Sequence, residues 1–119
     1  MSVFPSLVSN DPEEIKKLDY FLCLIKTYEI ETSFESLKHC IAKNTTILPL
    51  YNGVDATERI YLEFPENAIL LSCVYIVSMF ESPVIIKKIG SYEKLFFGSK
   101  NVPFSKLNEL QSIYKNACI

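Results

Sequence analysis

Glycine is scarce in this chain. Three occur among 119 residues, Gly53, Gly90 and Gly98, and they do not make a G-x-G-x-x-G turn. Such a turn lets backbone N–H groups at a helix start approach a pyrophosphate, so the sequence carries no dinucleotide-phosphate loop of that kind. Basic surplus is lacking too. Twelve Lys and Arg stand against fourteen Asp and Glu, a formal charge of −2, which leaves nothing to neutralise a run of phosphates and argues against nucleic acid. Long apolar runs are missing. Ala68–Met79, one of the longest, is broken by Ser72, and a bilayer span needs roughly 20 residues. The start, Met1-Ser2-Val3-Phe4-Pro5, lacks the basic region and apolar stretch of a signal peptide. A cytoplasmic protein away from membranes is the expectation.

Motifs of several chemistries are absent as well. There is no H-E-x-x-H, no G-x-S-x-G and no Walker sequence. Cys23, Cys40, Cys73 and Cys118 form no C-x-x-C pair, so no metal site is expected. Cys23 and Cys73 lie in apolar runs and read as small core residues. The sole histidine, His39, adjoins Cys40, but adjacent helical residues point about 100° apart. A surface histidine is expected rather than a catalytic Cys–His pair. Glu13-Glu14 and Glu29-x-Glu31 sit at helix starts, where carboxylates favour the dipole.

What remains is an ordinary soluble composition, 49% hydrophobic and 22% charged, in one domain spanning residues 1–119. Asp11-Pro12 opens a short helix as N-cap and first position. Tyr20–Ile25 is continuously apolar and suits a parallel strand buried on both faces. Ile30, Phe34, Leu37 and Ile41 recur at helical spacing. Thr45–Leu50 is a second strand, with Pro49 near its end. Asn52-Gly53 marks a turn, and Asp55-x-x-Glu58 fits an acidic capping box opening a helix that stops by Pro65. Ala68–Val77 reads as a third strand. Val84–Ile89 and Lys94–Phe97, joined through Gly90-Ser91, read as an antiparallel pair. Leu107, Leu110, Tyr114 and Ala117 mark a C-terminal helix. The expected fold is α/β: a partial Rossmann-like parallel sheet (strand-helix-strand-helix-strand), then an antiparallel strand pair and a helix.

In open parallel sheets, ligands bind beyond the carboxyl ends of the strands. Here those ends carry Lys26-Thr27-Tyr28, then Asn52-Gly53, then Ser78. Lysine can neutralise a carboxylate or phosphate, and asparagine can donate to and accept from a ribose or carbonyl. The same residues also fit a bland reading, with Lys26 a solvated charge and Asn52-Gly53 a turn.

The run Asp19–Tyr28, ending its apolar strand in Lys26, is similar to a strand of ketopantoate reductases that ends in lysine and a small residue. Thr46–Val54, with Leu50-Tyr51-Asn52-Gly53-Val54, resembles that family's strand ending in Leu-x-Asn-Gly-Val. Glu58-Arg59-Ile60, Val74-Tyr75-Ile76 and Leu95-Phe96-Phe97-Gly98 follow in the family's order. The resemblance extends from about Val8 to the C-terminus and covers the second half of the family's nucleotide-binding domain. It implies NADPH-dependent reduction of 2-dehydropantoate to pantoate, in pantothenate synthesis. It also implies that Lys26 and Asn52 lie near the nicotinamide end and the substrate. The chain departs from the family at Glu29 and Tyr51, where glutamine is frequent, and at Asp55-Ala56, where glycine and asparagine are.

Against that family, the glycine-rich first βαβ unit is missing, and so is the helical domain that supplies the general acid. No catalytic residue is therefore expected in this chain, and NADP binding by the chain alone is not expected. The family reading is a truncated reductase, inactive alone. Two alternatives stay open: a non-catalytic half-Rossmann binding or interaction module, and another member of the wider dehydrogenase superfamily. In either family-like case Tyr20–Ile25 has lost its sheet neighbour. A homo-oligomer is then expected, or a partner chain supplying the missing half, with that strand at the contact.

Overall fold

The structure is a computed structural model, described here for residues 4–51 and 55–116. Three parallel strands form its centre: β1 (Leu18–Cys23), β2 (Ile41–Pro49) and β3 (Ala68–Ile69), in the order β1-β2-β3. Helix α1 (Ile30–Leu37) joins β1 to β2, and α2 (Ala56–Glu63) joins β2 to β3. The parallel α/β expectation holds.

Strand alternation divides the core into two. Ile47 of β2 faces α1 and α2, where it meets Ile30, Phe34, Ile60 and Phe64. Its neighbour Leu48 faces the other way and packs with Leu70 and with Leu110 of α3 (Phe104–Asn116). Thr45–Pro49 are all buried, because β2 alone has helices on both faces and strands on both edges. The two threonines in that run are satisfied. Thr45 Oγ1 donates to the Leu18 carbonyl and accepts from Ala42 N–H, while Lys106 Nζ of α3 reaches Thr46 Oγ1 at 3.3 Å.

Several local expectations need correction. The helix expected through Ile41 stops at Leu37, and Ile41 opens β2 instead. Asp11 does cap Pro12–Glu14, accepting from Glu13 N–H at 3.0 Å, but the turn is a single 3-10 turn. The capping box of α2 does not form, since the Asp55 side chain accepts no hydrogen bond from the first-turn N–H groups and instead lies 3.8 Å from Arg59 Nη1.

The third strand is the larger correction. Ala68–Val77 is two strands, not one. The chain runs parallel to β2 for two residues, and Leu70 N–H still reaches the Ile47 carbonyl at 3.0 Å. It then leaves as β4 (Leu71–Tyr75), held at the departure by the Ser72 hydroxyl on the Pro49 carbonyl. β4 pairs antiparallel with β7 (Lys94–Gly98), and between them β5 (Ser78–Ser82) pairs with β6 (Ile85–Lys88). The expected pairing of 84–89 with 94–97 is therefore wrong, because each strand finds its partner upstream. The signal at Ser82-Pro83-Val84-Ile85 is a Pro-led turn without the usual glycine. Val84 takes φ 65 in its place.

β1 also differs from expectation. A strand buried on both faces was predicted, yet its pattern is mixed and Leu22 is 40% exposed. Phe21 and Cys23 face α1 and α2, while the face carrying Tyr20 and Leu22 is only partly covered by α3. Ser78, expected at a parallel strand end, begins the β5–β6 hairpin instead.

Candidate functional site

β1 and β2 end side by side, and the Leu50 N–H donates to the Cys23 carbonyl at 2.8 Å. Beyond this last bond Tyr51 turns inward. Its hydroxyl lies 2.6 Å from Cys23 Sγ in the buried interior. Burial drives the Tyr51 phenol far above its ordinary range, and the Cys23 thiol adds to the rise. Burial likewise pushes the Cys23 thiol up, with the Tyr51 hydroxyl partly opposing. Both groups stay neutral, as a buried contact between two strand ends requires.

Lys26 stands three residues past β1. It is exposed and precedes the 3-10 turn Thr27–Glu29, whose Glu29 N–H closes on the Lys26 carbonyl at 2.9 Å. That turn runs straight into α1. Lys26 thus lies at the carboxyl rim of the sheet, where the sequence put it. Asn52, with Gly53 and Val54, lies outside the described residues. Its neighbour Tyr51 is anchored, so the chain enters this segment from a fixed point.

Both helices that begin at this rim carry acid in their first turns, Glu31 in α1 and Glu58 in α2. A helix N-terminus attracts anions through its dipole and free N–H groups, and these carboxylates place negative charge there, which opposes a phosphate. Arg59 is the other cation nearby. Its guanidinium is held by Glu31 through Nε at 3.0 Å and Nη2 at 2.7 and 2.8 Å. That contact holds the Glu31 carboxyl below its ordinary range. Arg59 therefore ties α1 to α2 and is not available to a phosphate. Neither the Tyr51–Cys23 contact nor the Arg59–Glu31 pair was read from sequence, where Tyr51 stood out only as a departure from the family. The Arg59 pair joins residues 28 apart, a separation that no local pattern reports.

The described residues do not by themselves make a site for a whole dinucleotide. Among them Lys26 supplies one charge at the rim, no glycine lines a helix start facing it, and the first turns of α1 and α2 are acidic. Among the described residues no group of three His, Cys, Asp or Glu could hold a metal ion, and no helix is long and apolar enough to cross a membrane.

Two concave regions flank the sheet. One of about 500 Å³, bordered by Glu58, Tyr61, Asn67 and Lys100, runs along α2 and β3, at the side of the sheet away from β1. The other, about 440 Å³, is floored by Leu22 and Leu50 at the carboxyl ends of β1 and β2 and walled by Gln111 and Tyr114 of α3. The second opens at the carboxyl ends of β1 and β2, where α/β sheets bind ligands or neighbouring elements. Cys40 is buried and Cys73 half-buried, while His39 is exposed and its Nε2 lies 2.9 Å from the Pro12 carbonyl.

Comparison with known proteins gives a consistent outcome. The family model described as Ketopantoate reductase PanE/ApbA matches residues 2–101. No curated protein sequence matches the chain. Among solved structures, 2-dehydropantoate 2-reductase from Porphyromonas gingivalis W83 is 33% identical over 74% of this chain and 31% of its own, with a TM-score of 0.66. The enzyme from Geobacter metallireducens GS-15 is 22% identical, covers 93% of this chain and 37% of its own, and superposes with a TM-score of 0.83. That from Methylococcus capsulatus is 24% identical over 97% and 37%, with a TM-score of 0.78. The chain spans about a third of the length of these structures.

Proposed function

The chain belongs to the ketopantoate reductase family, and from that premise we propose that it is a part of the nucleotide-binding domain of an NADPH-dependent 2-dehydropantoate reductase, inactive by itself. The observation that carries this reading is the family match over residues 2–101 together with Lys26 on the carboxyl rim of a parallel sheet. In this reading Lys26 contributes positive charge near the nicotinamide end of NADPH or the substrate carboxylate. Asn52 follows the anchored Tyr51 and positions the same ligands by hydrogen bonds. The general acid and the pyrophosphate-binding turn come from outside this chain. The reading places the protein in the cytoplasm, where pantothenate synthesis draws on NADPH.

A second reading is a non-catalytic interaction module. It is favoured by the acidic first turns of α1 and α2, which suit a scaffold better than a phosphate site. An NADPH-oxidation assay with 2-dehydropantoate separates an enzyme complete in itself from both readings. The isolated chain should show no turnover above background. Turnover that vanishes in Lys26→Ala would mean that the chain carries a complete site.

A further inference from the structure

The antiparallel register of β4 and β7 pairs Leu71 with Gly98. Continued two residues further it would set Ile69 opposite Lys100, but β7 ends at Gly98 and the chain turns away toward α3. The gap left beside β3 is the cavity of about 500 Å³. β3 forms its floor, α2 one wall and the connection 99–102 the other. Tyr61 and Leu62 of α2, Ile69 of β3 and Val102 give it apolar surface. Its volume lies in the range of small-molecule sites.

Two opposite charges border this apolar space, Glu58 and Lys100. Between Asp55 and Glu66 each of the other charged side chains is in an ion pair. Arg59 pairs with Asp55 and Glu31, Glu63 with Lys38, and Glu66 with Lys43. Glu58 has no cationic partner among the described residues, and Lys100 has no anionic one; nor do the two meet each other. A carboxylate and an ammonium held apart at an apolar cavity complement a molecule that carries both charges at one end and an apolar group at the other. Other occupants fit less well. β3 has two residues, too short an edge to template a strand. The Glu58 carboxylate opposes a phosphate.

We infer that this cavity binds a free α-amino acid with an apolar side chain. Its carboxylate pairs with Lys100, its ammonium with Glu58, and its side chain packs among Tyr61, Ile69 and Val102. The ligand thereby ties α2 to the connection that leads into α3. This site goes beyond the reductase reading and draws nothing from the role given to Lys26.

The test titrates L-leucine and L-phenylalanine into the full chain and follows its backbone amide resonances. Saturable binding with a Kd below about 1 mM is expected for at least one of them, with shifts clustered at Tyr61, Ile69 and Lys100. The matching acid without the ammonium, the matching amine without the carboxylate, and glycine should each bind at least about tenfold more weakly. Lys100→Ala and Glu58→Gln should each weaken binding by about tenfold. Both side chains are exposed, so neither variant disturbs the core. Lys94→Ala, at the other end of β7, should leave binding unchanged. No saturation, shifts clustered elsewhere, an acid or amine that binds as well as the amino acid, or indifference to either variant would each overturn the inference. Tighter binding of adenosine monophosphate at the same amides would overturn it too, by giving the cavity to a nucleotide.

Discussion

The Tyr51 hydroxyl and the Cys23 sulfur meet at 2.6 Å inside the protein, each at the end of a neighbouring parallel strand. The contact fixes where β2 releases the chain into the segment carrying Asn52, relative to where β1 releases it toward Lys26. Tyr51→Phe keeps the ring and removes the bond. It should cost about 1 kcal/mol in denaturant unfolding, the usual worth of one such hydrogen bond. A change near zero would mean that ring packing alone holds the strand ends together.

The same pair makes stability pH-dependent on the alkaline side. Burial raises the folded pKa of Cys23 and of Tyr51 above the values these groups have in an unfolded chain. A group raised in this way releases its proton more readily when unfolded, so stability falls as pH rises. The contribution is full below the ordinary thiol range and declines through pH 9 and above, starting from a reference thiol value of 9.0. Unfolding midpoints taken from pH 7 upward should therefore drop beyond pH 9. Cys23→Ala should show a shallower decline than the parent chain.

Phe34 is fully buried, with ring centroids 5.4 Å from Phe21 and 5.3 Å from Phe64. It links β1, α1 and the end of α2. Phe34→Ala removes that link and leaves a cavity, and should destabilise by about 3–5 kcal/mol in chemical denaturation. A loss under about 1 kcal/mol would show that this core is not the one that holds the sheet.

Phe34 also shows what the sequence made legible. Ile30 and Phe34 stand at helical spacing, and both are buried on α1 as that spacing requires. The parallel α/β character of the sheet followed from apolar runs alternating with helical ones, while the order β1-β2-β3 did not. What escaped was non-local. No pattern in 68–77 tells that the chain leaves one sheet for another after Ile69. That step depends on Ser72 meeting Pro49 and on β7 waiting to pair. The Tyr51–Cys23 contact escaped for the same reason, since a tyrosine beside a turn gives no sign that it points inward. Of the two site residues read from sequence, Lys26 sits on the expected rim, and Asn52 lies outside the described residues.

Val84 occupies the left-handed region at φ 65 and is 99% exposed at the tip of the β5–β6 hairpin. For a β-branched residue this conformation is strained, by roughly 1–2 kcal/mol. Glycine relieves the strain but adds freedom to the unfolded chain, worth about 0.5–1 kcal/mol. Val84→Gly should thus stabilise the protein by about 0.5–1 kcal/mol. A destabilised variant would indicate that the tip packs against something in solution.

The central claim is that this chain contributes the Lys26 rim of an NADPH site whose pyrophosphate half lies elsewhere. It is tested most directly by titrating NADPH calorimetrically into two proteins. One is the chain alone, and the other is a complete 2-dehydropantoate 2-reductase in which this chain replaces the matching third. The chain alone should show no saturable binding. The chimera should bind, and Lys26→Ala should weaken it by about tenfold, the loss of one charge-assisted contact. Micromolar binding by the isolated chain, or a chimera indifferent to Lys26→Ala, would contradict the account.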